Sequence, residues 1–198
     1  MAKVLVVYYS AFGYVAVVAK AIAEGARSVG AEADIKRIPD FATASADQGA
    51  LFNSLQDVPV ATIEDLADYD AIIVGSPTRF GRLSAPMATF LEQAGELSNQ
   101  GVLKGKVGGA FTSPSSLNGG HETASMSILT NLLYLGMIVV GPPYSATTIA
   151  NSTGQRHPSA LDLEGALQQG QLIAQTAERL FAGGGAGAAK RRSRSRKA

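Results

Sequence analysis

Three short segments of this 198-residue chain combine hydroxyls, glycines and aromatics in a way that suits holding a ligand. The first, Ser10-Ala11-Phe12-Gly13-Tyr14-Val15, follows the apolar run Val4–Tyr9 and precedes a helical pattern. A hydroxyl, a glycine bend and a helix N-terminus in that order favour a phosphate, through free N–H groups and the helix dipole. No Lys or Arg lies in the segment, so such a cradle consists of neutral donors. An ordinary βα turn with Ser10 near the N-cap is the alternative. Neither G-x-x-x-x-G-K-[ST] nor G-x-G-x-x-G is present. The second segment is Ser76-Pro77-Thr78-Arg79-Phe80-Gly81. Its backbone could read the polar edge of a flat heterocycle, with Arg79 offsetting negative charge and Phe80 stacking. A surface loop with a solvated Arg79 is the plain reading. The third, Thr112-Ser113-Pro114-Ser115-Ser116-Leu117-Asn118-Gly119-Gly120, leads to Glu122 at a helix start. It reads as a third ligand loop or as a flexible polar connection.

Other chemistries lack their residues. There is no Cys, so disulfides, Cys-ligated zinc, Fe–S clusters and thiol nucleophiles are excluded. Of the two His residues, His121 stands beside Glu122 in a capping or polar role, and His157 lies in a Gly/Pro/Ser-bounded loop. No metal site is expected. G-x-S-x-G is missing, which disfavours a Ser-His-Asp hydrolase. Tyr8-Tyr9-Ser10 occupies the point where a response regulator needs an acidic cluster.

The elements that must position the three segments alternate. Val4–Tyr9, Ala71–Gly75, Val107–Phe111 and Met137–Val140 read as buried strands, and Ala31–Lys36 as an edge strand. Val15, Val18, Ala19, Ile22, Ala26 and Val29 line one helix face, with Gly30 placed to end it. Further helices are expected at about 85–95, 122–135 and 161–181, the last with Leu163, Leu167, Ala174, Ala177 and Phe181 inward. The pattern predicts an α/β fold: a five-stranded parallel sheet in order 2-1-3-4-5 with helices on both faces. Ligands bind such sheets at the carboxyl ends of strands 1 and 3, where the first two segments fall; the third follows strand 4 beside them.

Apolar residues form 46% of the chain and charged residues 17%, enough for a packed core. No apolar run approaches the ~20 residues of a membrane span. The start of the chain lacks a signal-peptide layout, so a cytoplasmic protein is expected. Lys190, Arg191, Arg192, Arg194, Arg196 and Lys197 crowd the C-terminus after a Gly/Ala-rich stretch at 183–189. The rest of the chain holds 11 positive and 16 negative charges, a net of −5. Residues 183–198 therefore read as a linker and basic tail, solvated or in weak contact with polyanions.

Several segments carry a family likeness: Ala2-Lys3-Val4-Leu5-Val6 with Tyr8-Tyr9-Ser10, Ala67-Asp68-Tyr69-Asp70-Ala71-Ile72-Ile73, and above all Pro77-Thr78-Arg79-Phe80-Gly81. Gly119-Gly120 with Glu122-Thr123 and Ala146-Thr147-Thr148-Ile149-Ala150, followed by Gly154 and Pro158-Ser159, extend it. Together, over about residues 1–181, they resemble the WrbA family of flavodoxin-like NAD(P)H:quinone oxidoreductases. The resemblance implies a flavodoxin-like FMN-binding domain at 1–182. It implies non-covalent FMN with NADH or NADPH as co-substrate, and a two-electron, ping-pong reduction of quinones without a covalent catalytic residue. It places the phosphate at Ser10–Val15 and the flavin ring at Thr78, Arg79, Phe80 and Gly81. Ser113–Gly119 would approach the ring and ribityl chain, and Phe12 the nicotinamide nucleotide. Arg79, Phe80 and Tyr134 would line the acceptor pocket. A homo-oligomer, dimer or tetramer, is implied as well. The chain departs from the family at Tyr134 and Tyr14, where relatives commonly carry His, and at Ser98, where they often carry Trp. The stretch Gly141–Ser145 is also shorter. A one-electron flavodoxin-type carrier and a non-catalytic binding protein that has lost its flavin are the alternatives.

Overall fold

The structure, a computed structural model, describes residues 1–38, 57–141, 146–150 and 156–181. Strands β1 (Lys3–Tyr8), β3 (Ala71–Pro77) and β4 (Val107–Ser113) are buried almost throughout. Their apolar runs leave no polar face, so both sides need helices. With β2 (Glu32–Arg37) and β5 (Ile138–Val139) they form the expected parallel order β2-β1-β3-β4-β5.

Alternation along the strands sorts the core into two layers. Val4, Val6, Tyr8, Ile73 and Phe111 face α1 (Tyr14–Ser28), together with a long C-terminal helix. Leu5, Val7, Ile72, Val74 and Ala110 face Met87, Phe90 and Leu91 of α2 (Ala85–Glu92) and residues further on. The helix expected to run to Gly95 stops at Glu92, and a short α3 (Gly95–Asn99) carries Ser98. Next comes α4 (His121–Tyr134), which contributes Ile128 and Leu132 to the second layer. The C-terminal helix α5 (Ala160–Phe181) starts with a reciprocal cap. Ser159 Oγ accepts from Asp162 N–H at 3.1 Å, and Asp162 Oδ2 accepts from Ser159 N–H at 3.0 Å. Its buried stripe is Ala166, Gly170, Ile173, Ala174 and Ala177, while Phe181 is exposed rather than inward. Helix α1 ends as expected, with Gly30 at φ +89°.

Helices α1 and α5 approach closely enough to exclude any side chain at their crossing. A Cβ on Gly25 would lie 2.0 Å from the Leu167 carbonyl oxygen, and one on Gly170 1.9 Å from that of Ile22.

The fifth sheet position differs from expectation. The strand read as Met137–Val140 pairs with β4 only at Ile138 and Val139. Pairing resumes with a sixth strand, β6 (Ala146–Thr147), opposite Phe111 and Thr112. Between the two pieces the Gln169 side chain stands in for a missing peptide. Its Nε2 donates to Ala110 O at 2.7 Å, and its Oε1 accepts from Ala146 N–H at 2.6 Å, all buried. A buried amide that completes a ladder cannot be replaced by an apolar group without orphaning both backbone groups. Gln169→Leu should therefore lower stability by about 2–4 kcal/mol, read as a reduced urea midpoint with unchanged slope. A variant as stable as the parent would show that the bridge is incidental.

Candidate functional site

The three segments do meet. β1, β3 and β4 are neighbours, and the backbone bonds continue past their ends. Tyr9 N–H donates to Gly75 O at 3.0 Å, and Thr78 N–H to Ser113 O at 3.1 Å. At this carboxyl end four buried hydroxyls lack any protein partner: Ser10 Oγ, Thr78 Oγ1, Thr112 Oγ1 and Ser113 Oγ. Buried hydroxyls are ordinarily bonded, so a cluster of unpaired ones on adjacent strand ends is the mark of a polar ligand site.

The first segment is a helix entrance rather than a side-chain cap. The N-cap of α1 is Gly13 at φ +90°, with no side-chain bond, and no acidic residue stands in the first turn. Ser10 caps nothing. The orphan N–H groups of the first turn are thus available to an anion. Gly13, Tyr14 and Val15 are buried, Ala11 is half-buried and Phe12 is 53% exposed beside them. Tyr14 carries a buried, unpaired hydroxyl, and burial raises its pKa. Tyr8, also unpaired, is pushed up to about 12 by burial, against the opposing pull of Arg37. Both phenols are therefore neutral at physiological pH.

The second segment forms a tight hairpin. Arg79 N–H donates to Arg82 O at 2.8 Å and Arg82 N–H to Arg79 O at 3.2 Å. Phe80 and Gly81 between them have φ +52° and +75°, the left-handed pair of a type I′ turn. Phe80 is an uncommon residue for that conformation. Its side chain is 99% exposed. The hairpin abuts the third segment: a Cβ on Gly120, the N-cap of α4 at φ +78°, would lie 3.0 Å from Gly81 Cα. Within the third segment Pro114 is buried, and Ser115, Ser116, Leu117 and Asn118 are exposed. Gly119 is bent back so far that a Cβ would lie 2.7 Å from Pro114. Phe12, Phe80 and Leu117 thus place exposed apolar groups on all three loops around the unpaired hydroxyls.

One expected member lies elsewhere in the chain. Helix α4 starts at the carboxyl end and runs back for 14 residues, about 20 Å. Its end is tied to the amino end of the sheet, where Gly105 N–H donates to Gly136 O and Ile138 pairs with Val107. Tyr134, 86% exposed, is therefore remote from Arg79 and Phe80 of the same chain. Helix direction in a βα unit already implies this. Of the histidines, His121 Nε2 pairs with Glu122 Oε1 at 2.9 Å, and His157 is exposed. Among the described residues no His/Asp/Glu cluster suits a metal ion, and no helix is long and apolar enough to cross a membrane.

The donor set fits FMN: a neutral, uncapped helix entrance for a phosphate and unpaired hydroxyls at the switch point for a ribityl chain and ring edge. Comparisons with known proteins agree. The family described as NADPH-dependent FMN reductase matches residues 2–152. A protein of Cupriavidus metallidurans named NAD(P)H dehydrogenase (quinone) is 54% identical, over 91% of this chain and 100% of its own. One of the same name from Acidovorax ebreus is 50% identical, over 92% and 100%. A WrbA-like flavodoxin structure from Agrobacterium tumefaciens superposes with a TM-score of 0.68 at 27% identity, covering 90% of this chain and 99% of its own. The chain belongs to the NADPH-dependent FMN reductase family, in the WrbA-like branch that its loops resemble.

Proposed function

We propose that the protein is an FMN-dependent oxidoreductase that reduces quinones by two electrons at the expense of NAD(P)H. The unpaired hydroxyls at the ends of β1, β3 and β4 carry this reading, supported by the relatives' shared name. FMN, when bound, supplies the hydride chemistry; the protein supplies position and electrostatics. The entrance to α1 at Ser10–Val15 holds the phosphate. The backbone of Thr78–Gly81 and the segment Ser113–Gly119 hold the ring and ribityl chain, Ser113 through its unpaired hydroxyl. Phe12 and Phe80 exclude water from the ring faces, and Phe12 borders the nicotinamide nucleotide. The nucleotide and the quinone occupy this cleft in turn, in a ping-pong order.

Tyr134 belongs to an acceptor pocket only if a second copy presents it. Exposed Met126, Leu133 and Tyr134 on α4 and Ile138 on β5 give apolar surface that a homo-oligomer would cover. The test is direct. Purified protein should show flavin absorbance, or gain it with added FMN, and NAD(P)H should bleach that absorbance until a quinone restores it. Flavin that NAD(P)H cannot reduce would favour a one-electron carrier; protein that takes up no FMN would favour a binding protein.

The linker and basic tail at 183–198 lie outside the described residues. Six cations without Tyr or Phe at 190–198 suit weak, salt-sensitive polyanion contact without base stacking. Truncation after Gly183 should leave quinone reduction intact and abolish retention on a nucleic-acid column. Loss of activity in a folded, FMN-loaded truncate would make the tail part of the active assembly.

A further inference from the structure

The hairpin after β3 carries a second arginine that the FMN-binding segments do not use. Arg79 and Arg82 close the type I′ turn as a mutually hydrogen-bonded antiparallel pair. Residues directly opposite in such a pair project from the same face of the ribbon, with Cα atoms about 5.5 Å apart. Both side chains are exposed, and no ion pair or hydrogen bond engages either guanidinium among the described residues. The acidic residue in the first turn of neighbouring α4, Glu122, is engaged by His121 instead. The turn that sets the pair in register holds the non-glycine Phe80 at φ +52°, a conformation that costs free energy and persists where surroundings impose it. Two exposed guanidiniums on one face of the turn, next to Thr78 with its unpaired hydroxyl, match a phosphate with several equivalent oxygens, to which arginine binds through a fork of two N–H groups.

We propose that Arg82, acting with Arg79, binds a phosphate of the incoming nicotinamide dinucleotide. The assignment rests on the reading of the cleft as a NAD(P)H site. The shared chemistry is a phosphate ester at the cleft mouth. It comes either from the pyrophosphate present in both nucleotides or from the 2′-phosphate present in NADPH alone. In the second case Arg82 sets the preference for NADPH over NADH. Charge–charge contact at an exposed rim is screened by salt, so the contribution of Arg82 shrinks as ionic strength rises.

The experiment measures equilibrium binding of NADP⁺ and NAD⁺, which do not turn over, to FMN-loaded parent, Arg82→Gln and Arg82→Lys proteins at low and high salt. Arg82→Gln should weaken binding about tenfold or more at low salt. Arg82→Lys should recover part of the loss, since it keeps the charge without the fork. Weakening for NADP⁺ alone assigns the 2′-phosphate, and weakening for both assigns the pyrophosphate. Unchanged dissociation constants in Arg82→Gln, with the parent binding normally, would overturn this inference and leave the NAD(P)H reading standing. An FMN-loaded parent that binds neither nucleotide would overturn both.

Discussion

Replacing Gly13 with valine should lower FMN affinity by on the order of 100-fold, about 2.7 kcal/mol. Gly13 sits at φ +90° as the N-cap of α1, where an L side chain is strained and a β-branched one most of all. Valine there either tilts the first turn or crowds the N–H groups that face the phosphate, and both remove donors from the anion. The folding penalty, about 1–3 kcal/mol for one residue in a disfavoured region, is a separate effect. Titration of the apoprotein with FMN by flavin fluorescence separates the two effects when paired with a urea midpoint. Equal FMN affinity in a folded variant would remove the first loop from the phosphate site.

A large effect on stability should come from the smallest change, Gly170→Ala. In a helix interior, alanine normally gains about 1 kcal/mol over glycine. Here the new methyl would lie 1.9 Å from the Ile22 carbonyl oxygen, against backbone that cannot swing aside as a side chain would. Helices α1 and α5 must separate, which opens the layer holding Ile22, Ala26, Ile173 and Ala174. We expect a loss of about 3 kcal/mol or more, the upper part of the overpacking range. For a chain of this size that is a fall in Tm of about 6–12 °C. Gly165→Ala, on the same helix with nothing within 4 Å of its Cβ, is the control and should gain about 0.5–1 kcal/mol. If both variants were stabilised, the close crossing would not exist in solution.

Much of this architecture is legible in the residues because burial writes itself into composition. Val4–Tyr8, Ala71–Val74 and Val107–Phe111 are strands covered on both faces, so their runs carry no polar interruption. What escaped lies where a contact, not a pattern, decides. Ala146-Thr147 is too short to show a period, and Gln169 looks like a polar position on an amphipathic helix until the gap beside β4 is seen. The turn at Phe80-Gly81 lacks the Asn-Gly or Asp-Gly that marks type I′ turns, so the pairing of Arg79 with Arg82 was hidden. The distance of Tyr134 from Arg79 and Phe80 of its own chain is likewise set by helix direction and not by the order of motifs.

The divided fifth strand has a further consequence, for how the molecule meets its own kind. An outer strand of full length offers a continuous row of unpaired N–H and C=O groups on which another chain can template. Among the described residues that margin is two dipeptides, 138–139 and 146–147, with a side-chain amide between them. Neither piece is long enough to recruit a foreign strand in register. The break also uncouples the two pieces from each other. Each takes its alignment from its own partners on β4, Ile138 and Val139 on Val107 and Gly108, Ala146 and Thr147 on Phe111 and Thr112. This margin of the sheet, opposite the edge strand β2, is thus poorly suited to strand exchange, and the floor beside Ser113 keeps its alignment from β4.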